Sequence, residues 1–136
     1  MNKTSSWIVY TDGASRGNPG LAGVGAMLLS PGGKVIELKK FLGKQTNNFA
    51  EYQAMLLALE ELQKQKARHV IVRADSELMI KQMRGEYRVK NENIKPLYQK
   101  AIGFLKEFSS VSFEHVRREQ NKEADRLANQ AIDERP

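Results

Sequence analysis

The chain has 136 residues, enough for one domain with its own core, and it carries no cysteine, which excludes disulfides, thiolate metal sites and cysteine nucleophiles. No apolar run is long enough to cross a membrane and the first six residues lack the apolar centre of a signal peptide, so the expectation is a cytoplasmic, monomeric protein with no membrane association and no obligate protein partner. Lys and Arg number 22 against 16 Asp and Glu, a net charge of +6 that suits a polyanionic partner such as nucleic acid and equally suits simple solubility.

A single domain over residues 1–136 is expected, with 1–6 and 133–136 as flexible ends. Residues 7–12 form a β-branched and aromatic run that reads as a buried strand ending at Asp12. Gly13, Ser15, Arg16, Gly17, Asn18, Pro19 and Gly20 then read as a turn-rich loop. Residues 22–29 give a second strand, the Ser30-Pro31-Gly32-Gly33 turn a hairpin, and residues 35–42 a third strand. The period then changes. Tyr52, Met55, Leu56, Leu59 and Leu62 recur at helical spacing, and Asn48 followed by Glu51 has the spacing of a capping box. Residues 69–75 read as a fully buried strand ending in Asp75, and a helix starts from Ser76. Gly85 interrupts it. A further helix opens at Asn91 or Asn93, with Pro96 in its first turn and Leu97, Tyr98, Ala101, Leu105 and Phe108 on one face. Residues 111–116 alternate as a fifth strand. Gln120-Asn121 opens a last helix whose apolar side is Ala124, Leu127, Ala128 and Ala131. The fold class is α/β: a mixed five-stranded sheet, three antiparallel strands then parallel ones, with helices on both faces.

Four carboxylates occupy matching places in that order. Asp12 and Asp75 end strands; Glu51 and Asp125 lie near helix starts. In an open α/β sheet such positions gather at one edge, where ligands bind. Each has a plainer reading as turn, cap or surface-pair residue, but jointly they form a set of hard oxygen ligands suited to Mg²⁺ or Mn²⁺. Two such ions roughly 3.5–4 Å apart can clamp an in-line phosphoryl displacement.

The stretches Thr11-Asp12-Gly13-Ala14-Ser15-Arg16-Gly17-Asn18-Pro19-Gly20, Thr46-Asn47-Asn48-Phe49-Ala50-Glu51, Ala74-Asp75-Ser76 and Asn121-Lys122-Glu123-Ala124-Asp125-Arg126-Leu127-Ala128 together resemble the type 1 ribonucleases H, over residues 7–131. The resemblance implies a metal-dependent endonuclease that hydrolyses the RNA strand of RNA–DNA hybrids, leaving 5′-phosphate and 3′-hydroxyl ends. It makes Asp12, Glu51, Asp75 and Asp125 the catalytic, metal-binding carboxylates for two Mg²⁺ or Mn²⁺ ions. Asp12 would bridge both, Glu51 and Asp75 flank one, and Asp125 attend the other. It assigns hybrid contacts to Gly13, Ala14, Ser15, Asn18, Asn47, Asn48 and Ser76.

Three departures from the family pattern stand out. The loop before the last helix has no His, so Arg118 and Glu119 are the candidates to assist product release, while His115 reads as a strand residue. Residues 85–93 are compact, with Arg88 and Lys90 but no long basic protrusion. Glu77 stands where some relatives have an amide, and is expected to point away from phosphate. Two other readings remain open at this stage: a hybrid-binding module without catalysis, and a nuclease of the same fold acting on another duplex.

Overall fold

The structure, a computed structural model, describes residues 5–135. The first strand, β1 (Trp7–Gly17), runs well past Asp12, where the glycines and Ser15 were expected to leave the sheet. Pairing explains the difference. β1 lies antiparallel to β2 (Gly20–Leu29), in register from Ile8 opposite Leu29 to Gly17 opposite Gly20. Only Asn18 and Pro19, joined by a cis peptide bond, remain for the turn. The third strand, β3 (Val35–Gln45), pairs antiparallel with β2 and continues beyond Leu42.

The helical period produces α1 (Asn47–Lys64). Then β4 (His69–Ala74) pairs parallel to β1, and β5 (Ser110–His115) parallel to β4. The sheet order is β3-β2-β1-β4-β5, the mixed α/β sheet the sequence predicts. Between β4 and β5 lie α2 (Glu77–Met83) and α3 (Lys95–Leu105). α3 begins at Lys95, not at Asn91 or Asn93. Those two residues form the turn before it, where the Asn91 side chain accepts from the Asn93 N–H at 2.8 Å. Phe108 falls beyond the end of α3 but is still buried. A 3-10 turn (Arg118–Gln120) leads into α4 (Lys122–Asp133).

Strand alternation divides the helices between the two faces. On one side Val24 packs against Ala50 and Ala54 of α1, and the main core joins Val9, Leu28, Val70 and Val72 to Tyr52, Met55, Leu59 and Leu62. Each such Leu or Val contributes about 1.5–3 kcal/mol of burial. On the other side α4 lies against the β2 backbone at Gly25, where an added Cβ would sit 2.4 Å from the Ala124 carbonyl oxygen. The chain end expected to be flexible carries ion pairs as far as Glu134, from Arg16 to Asp133 and from Lys39 to Glu134. Residues 1–4 and 136 lie outside the described residues.

Candidate active site

The sheet register brings two carboxylates together. Thr11 pairs with Ala74 across the parallel β1–β4 ladder, so the next residues, Asp12 and Asp75, emerge side by side. Asp12 is only 6% exposed. The third carboxylate comes from α1. Gly13 allows the approach, because a Cβ there would fall 2.2 Å from the Ala50 carbonyl carbon and 2.4 Å from the Glu51 nitrogen. With no side chain in the way, the Gly13 N–H donates to the Glu51 carboxylate. The Asn48/Glu51 capping box is therefore not formed. The α1 cap is Thr46, whose hydroxyl accepts from the Phe49 N–H at 3.2 Å.

Asp12, Glu51 and Asp75 each offer an oxygen, all within 4.8 Å of one another. Asp125 is outside that trio but lines the same pocket, of about 600 Å³. Its placement follows from two contacts of α4. The Asn121 side chain donates to the Thr11 carbonyl at 2.9 Å, pinning the start of α4 beside Asp12. Asn129, one turn on, donates to the Asp125 carboxylate at 3.3 Å.

The electrostatics are those of crowded, buried carboxylates. Burial, then the negative charges of Glu51 and Asp75, hold the Asp12 carboxyl well above the usual carboxylate range. Burial pushes Glu51 up to about 7, although the Gly13 N–H and the Arg118 charge pull the other way. Each oxygen is a hard donor, and the crowding of negative charge is relieved by a divalent ion better than by a proton. The donor set fits Mg²⁺ or Mn²⁺, with Asp12 central.

The remaining expected site residues divide. Gly13, Ala14, Ser15, Asn47, Asn48, Ser76 and Arg118 line the pocket with the four carboxylates. Ser15 and Ser76 also have structural partners: the Ser15 hydroxyl donates to the Gln45 carbonyl at 2.8 Å, and Ser76 caps α2 by accepting from the Met79 N–H. Asn18 does not line the pocket. Its side-chain oxygen accepts from the Asn47 N–H at 3.1 Å, tying the β1–β2 turn to the start of α1. Glu119 faces a separate hollow shared with Tyr10 and Met27. Glu77 pairs with Lys81, one turn on, at 3.7 Å. His115 ends β5, exposed.

Sequence reasoning missed Leu78, a 45% exposed apolar residue on the pocket wall. Its signal was available: Met79, Ile80 and Met83 form the buried side of α2, which leaves Leu78 on the outside without a packing reason. It also missed Asn129, whose i+4 spacing from Asp125 on one helix was the only clue.

The sequence family described as "Reverse transcriptase-like" matches residues 10–131. The chain is 38% identical over 128 residues to the "Bifunctional protein Rv2228c" of Mycobacterium tuberculosis, covering 93% of this chain and 35% of that protein. It is 41% identical over 126 residues to the "Ribonuclease HI" of Halobacterium salinarum, covering 92% of this chain and 63% of that one. The crystal structure of the halobacterial enzyme superposes with a TM-score of 0.89, covering 94% of this chain and 98% of the other at 39% identity. LC11-RNase H1, solved in complex with RNA/DNA hybrid, superposes with a TM-score of 0.88 at 41% identity, covering 93% of this chain and 96% of the other. The chain thus spans about a third of the mycobacterial protein and under two thirds of the halobacterial one.

Proposed function

The chain belongs to the ribonuclease HI family, and on that footing we propose that it is an endonuclease hydrolysing the RNA strand of RNA–DNA hybrids, leaving 5′-phosphate and 3′-hydroxyl ends. The observation that carries the reading is the convergence of Asp12, Glu51 and Asp75 within 4.8 Å, in a pocket that Asp125 also lines. A binding module without catalysis gains nothing from four negative charges facing phosphate.

Asp12, Glu51, Asp75 and Asp125 would hold two Mg²⁺ or Mn²⁺ ions. In this reading Asp12 would serve both ions, Glu51 and Asp75 would help hold one, and Asp125 the other; the grouping of Asp12, Glu51 and Asp75 supports it. Such a pair supplies an activated attacking water and a counter-charge for the leaving oxygen. The chain's own groups do the rest. The Gly13 N–H holds one Glu51 oxygen, which fixes the carboxylate's orientation. The backbone around Gly13 and Ala14, together with Glu51, would meet the RNA 2′-hydroxyl, the group that separates RNA from DNA; all three residues line the pocket. Ser15, Asn47, Asn48 and Ser76 present short polar groups to the two strands, and Asn18 acts through the segment it ties down. Of the two candidates for product release, Arg118 lines the pocket, which supports its drawing off the cleaved phosphate, while Glu119 lines a separate hollow. Contacts of these kinds go to sugar and phosphate, so cleavage would carry little base preference.

The test is cleavage of a labelled RNA–DNA hybrid, duplex RNA and duplex DNA with titrated Mg²⁺ or Mn²⁺. The expected result is metal-dependent cutting of the hybrid's RNA strand, abolished by Asp12→Asn with hybrid binding retained. Full-rate cutting by Asp12→Asn would remove Asp12 from the mechanism. Hybrid binding with no turnover at any metal concentration would leave only the binding module.

A further inference from the structure

Asp125 differs from the other three carboxylates in how it is held. Glu51 is oriented by a backbone N–H, and Asp12 and Asp75 by the sheet register. Asp125 instead depends on a side chain. Asn129, four residues on and so on the same helix face, donates through Nδ2 to the Asp125 carbonyl at 3.0 Å and to its carboxylate Oδ1 at 3.3 Å.

An asparagine amide has a donor end and an acceptor end, and a flip exchanges them. Arg16 settles which way it lies. Its guanidinium reaches across from β1 and donates to the Asn129 side-chain oxygen at 3.3 Å and to the Asn129 carbonyl at 3.5 Å. A guanidinium only donates, so the oxygen of the amide must face Arg16 and the NH₂ must face Asp125. Arg16 is kept there by Asp133, the last residue of α4, at 2.8 Å.

We propose that Asn129, with its amide orientation set by Arg16, is a positioning residue that holds the Asp125 carboxylate toward the pocket for the divalent cation on that side. Oδ1 of the carboxylate is engaged by Asn129, and the carboxyl lies within hydrogen-bonding reach of Asp12, at the centre of the acidic cluster. The inference rests on the reading of Asp125 as a metal-binding residue.

The experiment compares Asn129→Leu, Asn129→Gln and Arg16→Met with Asp125→Asn as the reference. Two quantities are read: the Mg²⁺ concentration giving half-maximal hybrid cleavage, with kcat at saturating metal determined separately, and binding of Mn²⁺ alone by calorimetry. Groups that orient metal ligands typically govern affinity by about tenfold or more. Asn129→Leu is expected to raise the half-saturating Mg²⁺ and weaken Mn²⁺ binding about tenfold, with kcat recovering at high Mg²⁺. Asn129→Gln restores part of the loss, since a Gln can donate to an Asp one turn away. Arg16→Met moves both quantities the same way by a smaller factor. Unchanged metal dependence and Mn²⁺ binding in Asn129→Leu and Arg16→Met, beside clear shifts in Asp125→Asn, overturn the proposal while leaving the reading of Asp125 intact. A fall in kcat with unmoved metal dependence overturns it as well. If Asp125→Asn itself shifts neither quantity, the reading of Asp125 falls and this inference with it.

Discussion

At the scale of single residues, burial and charge crowding meet at Asp12. It is buried, and two more carboxylates lie close by. In the unfolded chain it ionises near 3.8, whereas in the fold burial and the charges of Glu51 and Asp75 keep it protonated to far higher pH. Between those limits the folded form binds more protons than the unfolded form, so metal-free stability falls as pH rises through the neutral range. Asp12→Asn removes Asp12's share of that dependence, while the burial of Glu51 still contributes its own. In chelator, calorimetry should find the variant more stable than the parent at pH 8, with the two close together at pH 4. Mg²⁺ at pH 8 should raise the parent's melting temperature and leave the variant's almost unmoved. A variant less stable than the parent in chelator at pH 8 would mean that the carboxylate charges do not strain the metal-free fold.

At the scale of elements, what fixes the site is close backbone approach, and this is also where the sequence was hardest to read. The strand and helix order, the sheet type and the four carboxylates were all legible, because periodicity and chain-distant acids survive without knowledge of contacts. The end of β1 was not. Gly13, Ser15 and Gly17 have the composition of a turn, yet the first of these glycines is there to admit α1, and the strand continues through it. The cap of α1 was misread for a related reason: Glu51 has capping spacing but its carboxylate is taken by Gly13, and Thr46 caps instead. Neither the Leu78 wall nor the Asn129 contact carries a local pattern, since both depend on which helix face meets which strand. α4 poses the same choice in testable form. Arg126 joins it to Glu37 on β3 at 2.7 Å and pairs with Glu123 of the same helix at 2.9 Å, but all three side chains are substantially exposed. Such pairs contribute little, so Arg126→Met should change urea-unfolding stability by less than about 1 kcal/mol. Gly25→Ala forces a Cβ against the Ala124 carbonyl and should cost on the order of 3 kcal/mol while displacing Asp125 and depressing cleavage. The reverse ranking would mean that ion pairs, not close contact, seat α4.

At the scale of the whole molecule the net charge of +6 does not say which cations are free to meet a polyanion. Arg16, Lys39, Lys81, Arg84 and Arg126 are all in ion pairs. Lys40, Lys44, Arg88, Lys90, Arg117 and Arg118 are among the described cations that take part in none of the ion pairs, and a polyanion can recruit cations of this kind. Two sit next to pocket-lining segments: Lys44 precedes the Thr46 cap of α1, and Arg117 precedes Arg118. Each phosphate neutralised by such a cation releases condensed counterions, steepening the fall of affinity with salt by about 0.7–0.9 in the log–log slope. Hybrid binding can be followed by fluorescence anisotropy with Asp12→Asn protein in Mg²⁺, which prevents turnover. Adding Lys44→Ala or Arg117→Ala to that background should make the slope shallower by about 0.7–0.9 each, and by about twice that together. Adding Arg126→Met, whose charge is already paired, should leave the slope where it was. If the paired and unpaired cations had equal effects, hybrid binding would follow net charge alone, and the surface around the pocket would have no privileged part in gripping the strands.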